Sequence, residues 1–151
     1  MILVRERLDY SKPRDPRKDV FIFTANSYLK TNGALVMGAG AAKAVRDIYR
    51  GIDIRLGVKI KNKCGHLGEY YFLWDRSTEY LIGALQVKHS YADKADMSLV
   101  LKSLDTLNRL GRDRPNINFH CNFPAIGNGG LAYEDILPVL ELMSDNIYIY
   151  M

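Results

Sequence analysis

The sequence predicts an α/β fold in which a β-sheet carries helices on its faces. Three observations carry this expectation. Short runs rich in strand formers alternate along the chain with longer segments whose apolar residues recur at helical spacing. One run, "VFIFTA" (residues 20–25), is essentially continuous in its apolar character, as expected of a strand covered on both faces. Two glycine-rich turns, "VMGAGA" and "IGNGGL", each stand between a strand-like and a helix-like segment.

In chain order, "MILVRERL" reads as an edge strand and "YSKPRDPRKD" as a polar, proline-bearing connection. After the strand at 20–25, "LVMGAGAAKAVRDIYR" leads into a helix from about residue 40 to residue 50. "GEYYFLWD" and "TEYLIGALQV" read as two strands on either side of the polar turn "DRST". "DKADMSLVLKSLDTLNRLG" sets Met97, Leu101, Leu104 and Leu107 near helical spacing, with Gly111 as its stop signal. "INFHCNFPAI" is a further strand, "YEDILPVLELMS" a helix with Pro138 in its first turns, and "NIYIYM" a closing strand.

Length and composition bound the rest. A chain of 151 residues with 48% hydrophobic content is the size of one domain, residues 1–151, with one substantial core. It lacks an N-terminal targeting pattern and any stretch of roughly 18 apolar residues, so a soluble cytoplasmic protein with no membrane partner is expected. Cys64 and Cys121 stand far apart and outside any C-x-x-C spacing. Idle thiols are expected, with no disulfide framework, no metal and no cofactor. The formal charge of +4 is uneven: Arg5, Arg7, Lys12, Arg14, Arg17 and Lys18 crowd one end, and Lys59, Lys61 and Lys63 alternate in a short run. Such a surface either favours phosphate-bearing partners or is simply a solvated positive face.

The helix after "VMGAG" starts without an obvious polar cap. Its first N–H groups have no intrahelical acceptor and the helix dipole adds partial positive charge there, so a bare start suits an anion. Gly38 and Gly40 allow close approach of a ligand to the backbone and positive φ angles. No G-K-[ST] follows, and Lys43 breaks the G-x-G-x-x-G pattern. "FPAIGNGGLAYEDI" (residues 123–136) repeats the arrangement with Gly127, Gly129 and Gly130. Side by side at the carboxyl edge of a sheet, the two loops could grip a diphosphate. The alternative is two ordinary turns that need glycine.

These stretches resemble the macrodomain family. Thr24-Ala25-Asn26 stands for the family's N-A-A-N-like strand end, and Gly38-Ala39-Gly40-Ala41-Ala42 for its G-x-G-x-A loop. Pro124, Gly127 and Gly129 match its P-x-x-G-x-G loop. The resemblance implies a three-layer α/β/α architecture with a mixed central sheet and helices on both faces. It also implies a small-molecule partner, ADP-ribose or a related NAD-derived metabolite, with ADP-ribosylated protein or nucleic acid as larger partners.

The same resemblance assigns residues. Asp9, in Leu8-Asp9 at the place of a G-D-[IL] motif, would accept from the adenine amino group, or is a strand-end charge. Asn26 would contact the distal ribose, or forms an Asx-turn. Met37, Gly38, Ala39, Gly40 and Ala41 would offer backbone donors to one phosphate, and Gly127, Asn128, Gly129, Gly130 and Leu131 to the other. Tyr133 would pack near the distal ribose, or is a core tyrosine.

Family members either bind without turnover or resemble hydrolases of ADP-ribosyl esters and phosphatases of ADP-ribose 1''-phosphate. The "MGAG-x-A" form is most like the branch containing terminal ADP-ribose protein glycohydrolase, where a lysine attacks the sugar and an aspartate assists. An ungapped match of "EYLIGALQVKHSY" sets Lys88 near that lysine, while the aspartate's place falls on Leu131. Two catalytic routes follow: attack by Lys88, or a water positioned by Asn26 and the glycine loops. The expected function is hydrolysis of a distal-ribose substituent of an ADP-ribose derivative. A non-catalytic ADP-ribose reader or scavenger is the first alternative, and a nucleic-acid-binding module using the basic N-terminal region the second.

Overall fold

A computed structural model describes residues 1–12, 15–125 and 130–151. Its elements are β1 (Ile2–Val4), β2 (Asp19–Ala25), α1 (Gly40–Ile48), α2 (Ile52–Lys63), β3 (Phe72–Arg76), β4 (Leu81–Gln86), α3 (Met97–Asp113), β5 (Asn118–Asn122), α4 (Tyr133–Glu141) and β6 (Ile147–Tyr150). The strands form one sheet in the order β1-β6-β5-β2-β4-β3. Every pairing is parallel except that of β3 with β4, so the sheet is mixed with an antiparallel edge.

The apolar run in β2 is covered on both sides, as its sequence predicts. Side chains alternate across a strand, and Val20 and Ile22 enter one core while Phe21 and Phe23 enter the other. The first core receives Val100, Leu104 and Leu107 from α3 and Ile136 and Leu140 from α4. The second receives Val45 from α1 and Ile52, Leu56 and Ile60 from α2. Helices therefore lie on both faces, which gives the three layers that the resemblance implies. Among the described residues no helix is long and apolar enough to cross a membrane.

The structure corrects several details. Helix α2 is absent from the sequence reading, which saw only its lysines. Gly51, at φ 83°, and an internal Gly57 obscure it. Gly57 is there because the chain packs against it: a Cβ would lie 1.9 Å from the Gly33 carbonyl oxygen. Arg76 belongs to β3 rather than to the following turn, while Asp75 ends the expected strand run, is buried, and pairs with Arg55 at 2.9 Å and Lys59 at 3.6 Å. Gly111 does not stop α3, which runs on to Asp113; it is buried where a side chain would press on Ile147 and Asn146. Strands β1 and β5 are shorter than the runs that suggested them: β1 ends at Val4, before the exposed polar residues Arg5 to Arg7, and β5 ends at Asn122.

Candidate functional site

Three parallel strands, β2, β4 and β5, end at a cleft of about 480 Å³. Thr24 to Asn26 line it from the end of β2, Val87 and Lys88 from the segment just after β4, and Asn122 and Ala125 from the end of β5 and the turn after it, with Gly38 to Ala42 also in the lining. This is where a parallel α/β sheet places ligands.

The glycine loop opens into α1 as its composition suggests. Ala39 occupies the cap position in an extended conformation, no side chain caps the helix, and the first turn carries no acidic residue. The first intrahelical bond runs from the Lys43 amide to the Ala39 carbonyl at 3.2 Å, so the amides of residues 40–42 have no acceptor within the helix. Gly40 has φ 57°, in the region that favours glycine. Among the described residues, nothing lies within 4 Å of where a Cβ of Gly38 would stand. Met37 anchors the loop from below, its side chain only 1% exposed.

Asn26 is buried and makes an Asx-turn. Its Oδ1 accepts from the Tyr28 amide at 2.8 Å and its Nδ2 donates to the Val36 carbonyl at 3.0 Å, which ties the β2 end to the glycine loop. The side chain therefore lines the cleft in a fixed orientation, and these contacts use one of its two amide hydrogens. Lys88 reaches the same cleft, its Nζ donating to the Tyr91 carbonyl at 3.2 Å.

Other expected residues lie elsewhere. Asp9 is exposed, does not line this cleft, and accepts from the Ser11 amide at 2.9 Å and the Ser11 hydroxyl at 2.5 Å. The Leu131 amide donates to the Ala125 carbonyl at 2.9 Å, which engages it within its own loop. Gly130 is exposed at φ 75°, near the Lys94 side chain. Tyr133 opens α4 and stacks on Phe123 at 4.9 Å, packed against the first core. Gly127, Asn128 and Gly129 lie outside the described residues, as do Arg14 and the expected strand end at Ile126.

The sequence reading did not place Tyr91 at the cleft. This residue is 53% exposed, and its ring meets Tyr28 edge-on at 5.0 Å, while Tyr28 meets His66 at 4.7 Å. Ala125 carries no signal in the sequence either. Its φ of 64° is strained for a residue with a side chain, and such strain gathers at functional sites. Of the two free thiols, Cys121 is buried and pushed up by desolvation, and half-buried Cys64 is raised for the same first reason.

The mixed sheet with helices on both faces is the macrodomain fold, as solved structures show. The chain matches the macrodomain of Mycobacterium tuberculosis DarG with TM-score 0.72 at 18% identity, over 99% of this chain and 97% of that one. The macrodomain of Thermus aquaticus DarG matches with TM-score 0.69 at 17% identity, over 99% and 95%. Thermosipho africanus DarTG, solved in complex with ADP-ribose, matches with TM-score 0.70 at 15% identity, over 89% of this chain. The chain spans 38% of that longer neighbour. No family model and no curated protein sequence matches the chain.

Proposed function

We propose that the cleft binds ADP-ribose or a close NAD-derived metabolite, and that the protein hydrolyses a substituent on the distal ribose. One observation carries the reading: the uncapped start of α1, with no acidic residue in its first turn, opens into a cleft at the ends of three parallel strands. A diphosphate there receives hydrogen bonds from the amides of residues 40–42 and the positive end of the helix dipole. The Thermosipho africanus neighbour in complex with ADP-ribose supports this choice of ligand.

The distal ribose would extend toward Asn26 and Lys88. Asn26 is held by two hydrogen bonds and so can orient a water against the C1'' substituent, where proximity lowers the barrier. Lys88 supplies positive charge for a departing phosphate. Attack by Lys88 is the less favoured route, because Leu131 stands at the place of the assisting acid and Lys88 is engaged with Tyr91. ADP-ribose 1''-phosphate and a mono-ADP-ribosyl ester are the two substrate forms that this reading accepts.

A reader without turnover is the second reading. It is favoured by the absence of a carboxylate among the described residues of the cleft. Calorimetric titration with ADP-ribose, with AMP as control, tests the pocket. Product analysis of ADP-ribose 1''-phosphate on the same sample separates enzyme from reader. Binding with phosphate release supports hydrolysis, binding without it supports the reader, and no binding removes both.

A further inference from the structure

A second concavity, of about 780 Å³, lies across the sheet edge and shares no lining residue with the cleft. It runs between α2 and α3 over the edge strand β3, with Phe72 and Trp74 on its floor. Its lining carries four cations, Lys59, Lys63, Arg109 and Arg114, against one carboxylate, Asp113. Lys63 and Arg114 take part in none of the ion pairs of the described residues. Among the described residues Arg109 pairs only with exposed Asp105 on its own helix, an interaction that solvent weakens.

Trp74 is the chain's single tryptophan and is half-buried. Its ring is backed by Phe119, fully buried and parallel to it within 6°, which fixes its plane. The guanidiniums of Arg114 and Arg76 reach over the ring at 5.1 and 5.9 Å. A braced indole with arginines over it, inside an open cationic groove, has the parts of a single-strand binding platform. Bases stack on the aromatic and guanidinium planes while the surrounding cations meet the phosphates.

We propose that this groove binds single-stranded nucleic acid, with Trp74 as the stacking platform and Lys63, Arg109 and Arg114 as phosphate contacts. Charge complementarity favours a polyanion, and the ring selects among polyanions. A carboxylate-rich peptide would satisfy the cations and leave the indole unused, whereas a duplex keeps its base faces stacked within itself. The inference stands independently of what the first cleft binds.

The experiment uses the fluorescence of Trp74, which reports from inside the groove alone. An oligothymidylate of about fifteen nucleotides is titrated into the whole chain at low salt, beside a duplex and a polyglutamate peptide of matching length. Saturable quenching by the single strand is expected. Three to four phosphate contacts would make log affinity fall against log salt with a slope of about −2 to −3. The double variant Lys63→Gln, Arg114→Gln should weaken binding at least tenfold. Both positions are exposed and outside the cores, and circular dichroism checks that the variant keeps the fold. The proposal is overturned by an absence of quenching, by unchanged affinity in the folded double variant, or by equal quenching with duplex. Equal quenching by polyglutamate also overturns it and reassigns the groove to an acidic segment.

Discussion

Gln86 stands directly behind Lys88: its Nε2 donates to the Lys88 carbonyl at 3.3 Å from a side chain with no solvent exposure. The same amide also reaches the Gly68 carbonyl at 2.9 Å and the Ser27 hydroxyl at 3.2 Å, its two hydrogens shared among three acceptors, while its Oε1 accepts the amides of Tyr70 at 2.8 Å and Tyr71 at 3.2 Å. One side chain thus fastens the loop before β3 to the ends of β2 and β4. Gln86→Leu should lower stability by about 2–4 kcal/mol, because it leaves buried amides and a carbonyl without partners. Urea unfolding checks this as a lower midpoint at unchanged slope.

Gly40 has φ 57° at the first position of α1. A β-branched residue there is strained, and moving out of the strain re-aims the amides that face the cleft. Gly40→Val should keep the fold at a cost of about 1–3 kcal/mol. Affinity for ADP-ribose should fall at least tenfold, read by calorimetry. Unchanged affinity would remove this loop from the site.

Lys88 is tied to Tyr91 and has no acid beside it among the described residues of the cleft. If a positioned water does the chemistry, Lys88→Ala should keep measurable phosphate release from ADP-ribose 1''-phosphate, reduced by roughly tenfold for one lost charged contact. Borohydride added during turnover should trap no lysine adduct. A trapped adduct at Lys88 would restore the nucleophile route.

Burial raises Tyr10, Tyr70 and Cys121 above their ordinary values, 10.0 for the tyrosines and 9.0 for the thiol. Unfolding lets these groups ionise at those ordinary values, while the fold keeps them protonated. Their stabilising contribution is therefore full below the unfolded-state values and is lost as pH rises from there through the raised folded-state values. Urea midpoints should be flat through neutral pH and decline from about pH 9 upward, less steeply near that onset in Cys121→Ala, where Cys64 is the remaining raised thiol. A midpoint unchanged to pH 11 would contradict this account.

How much the sequence discloses depends on how local the cause is. The bare start of α1 is legible because it follows from Gly38, Gly40 and the absence of a capping side chain within a few residues. The two-sided burial of β2 is legible for the same reason. Helix α2 is not, although Ile52, Leu56 and Ile60 recur at a spacing of four, because Gly57 answers to Gly33, which is distant in sequence. The engagement of the Leu131 amide and the stack of Tyr133 on Phe123 are tertiary facts as well, and spacing along the chain carries no trace of them. The Trp74 groove needs two helices and an edge strand before it exists.

Strand β1 has a single neighbour in the sheet, β6, and Ile2 pairs with Tyr148 while the Met151 amide returns to the Val4 carbonyl. Strand β1 can take its place only after β6, far later in the sequence, has been synthesised. Loop closure over that separation is slow, so docking of β1 is set to be a late folding event. Until it occurs, the outer edge of β6 stays open to pairing with another chain.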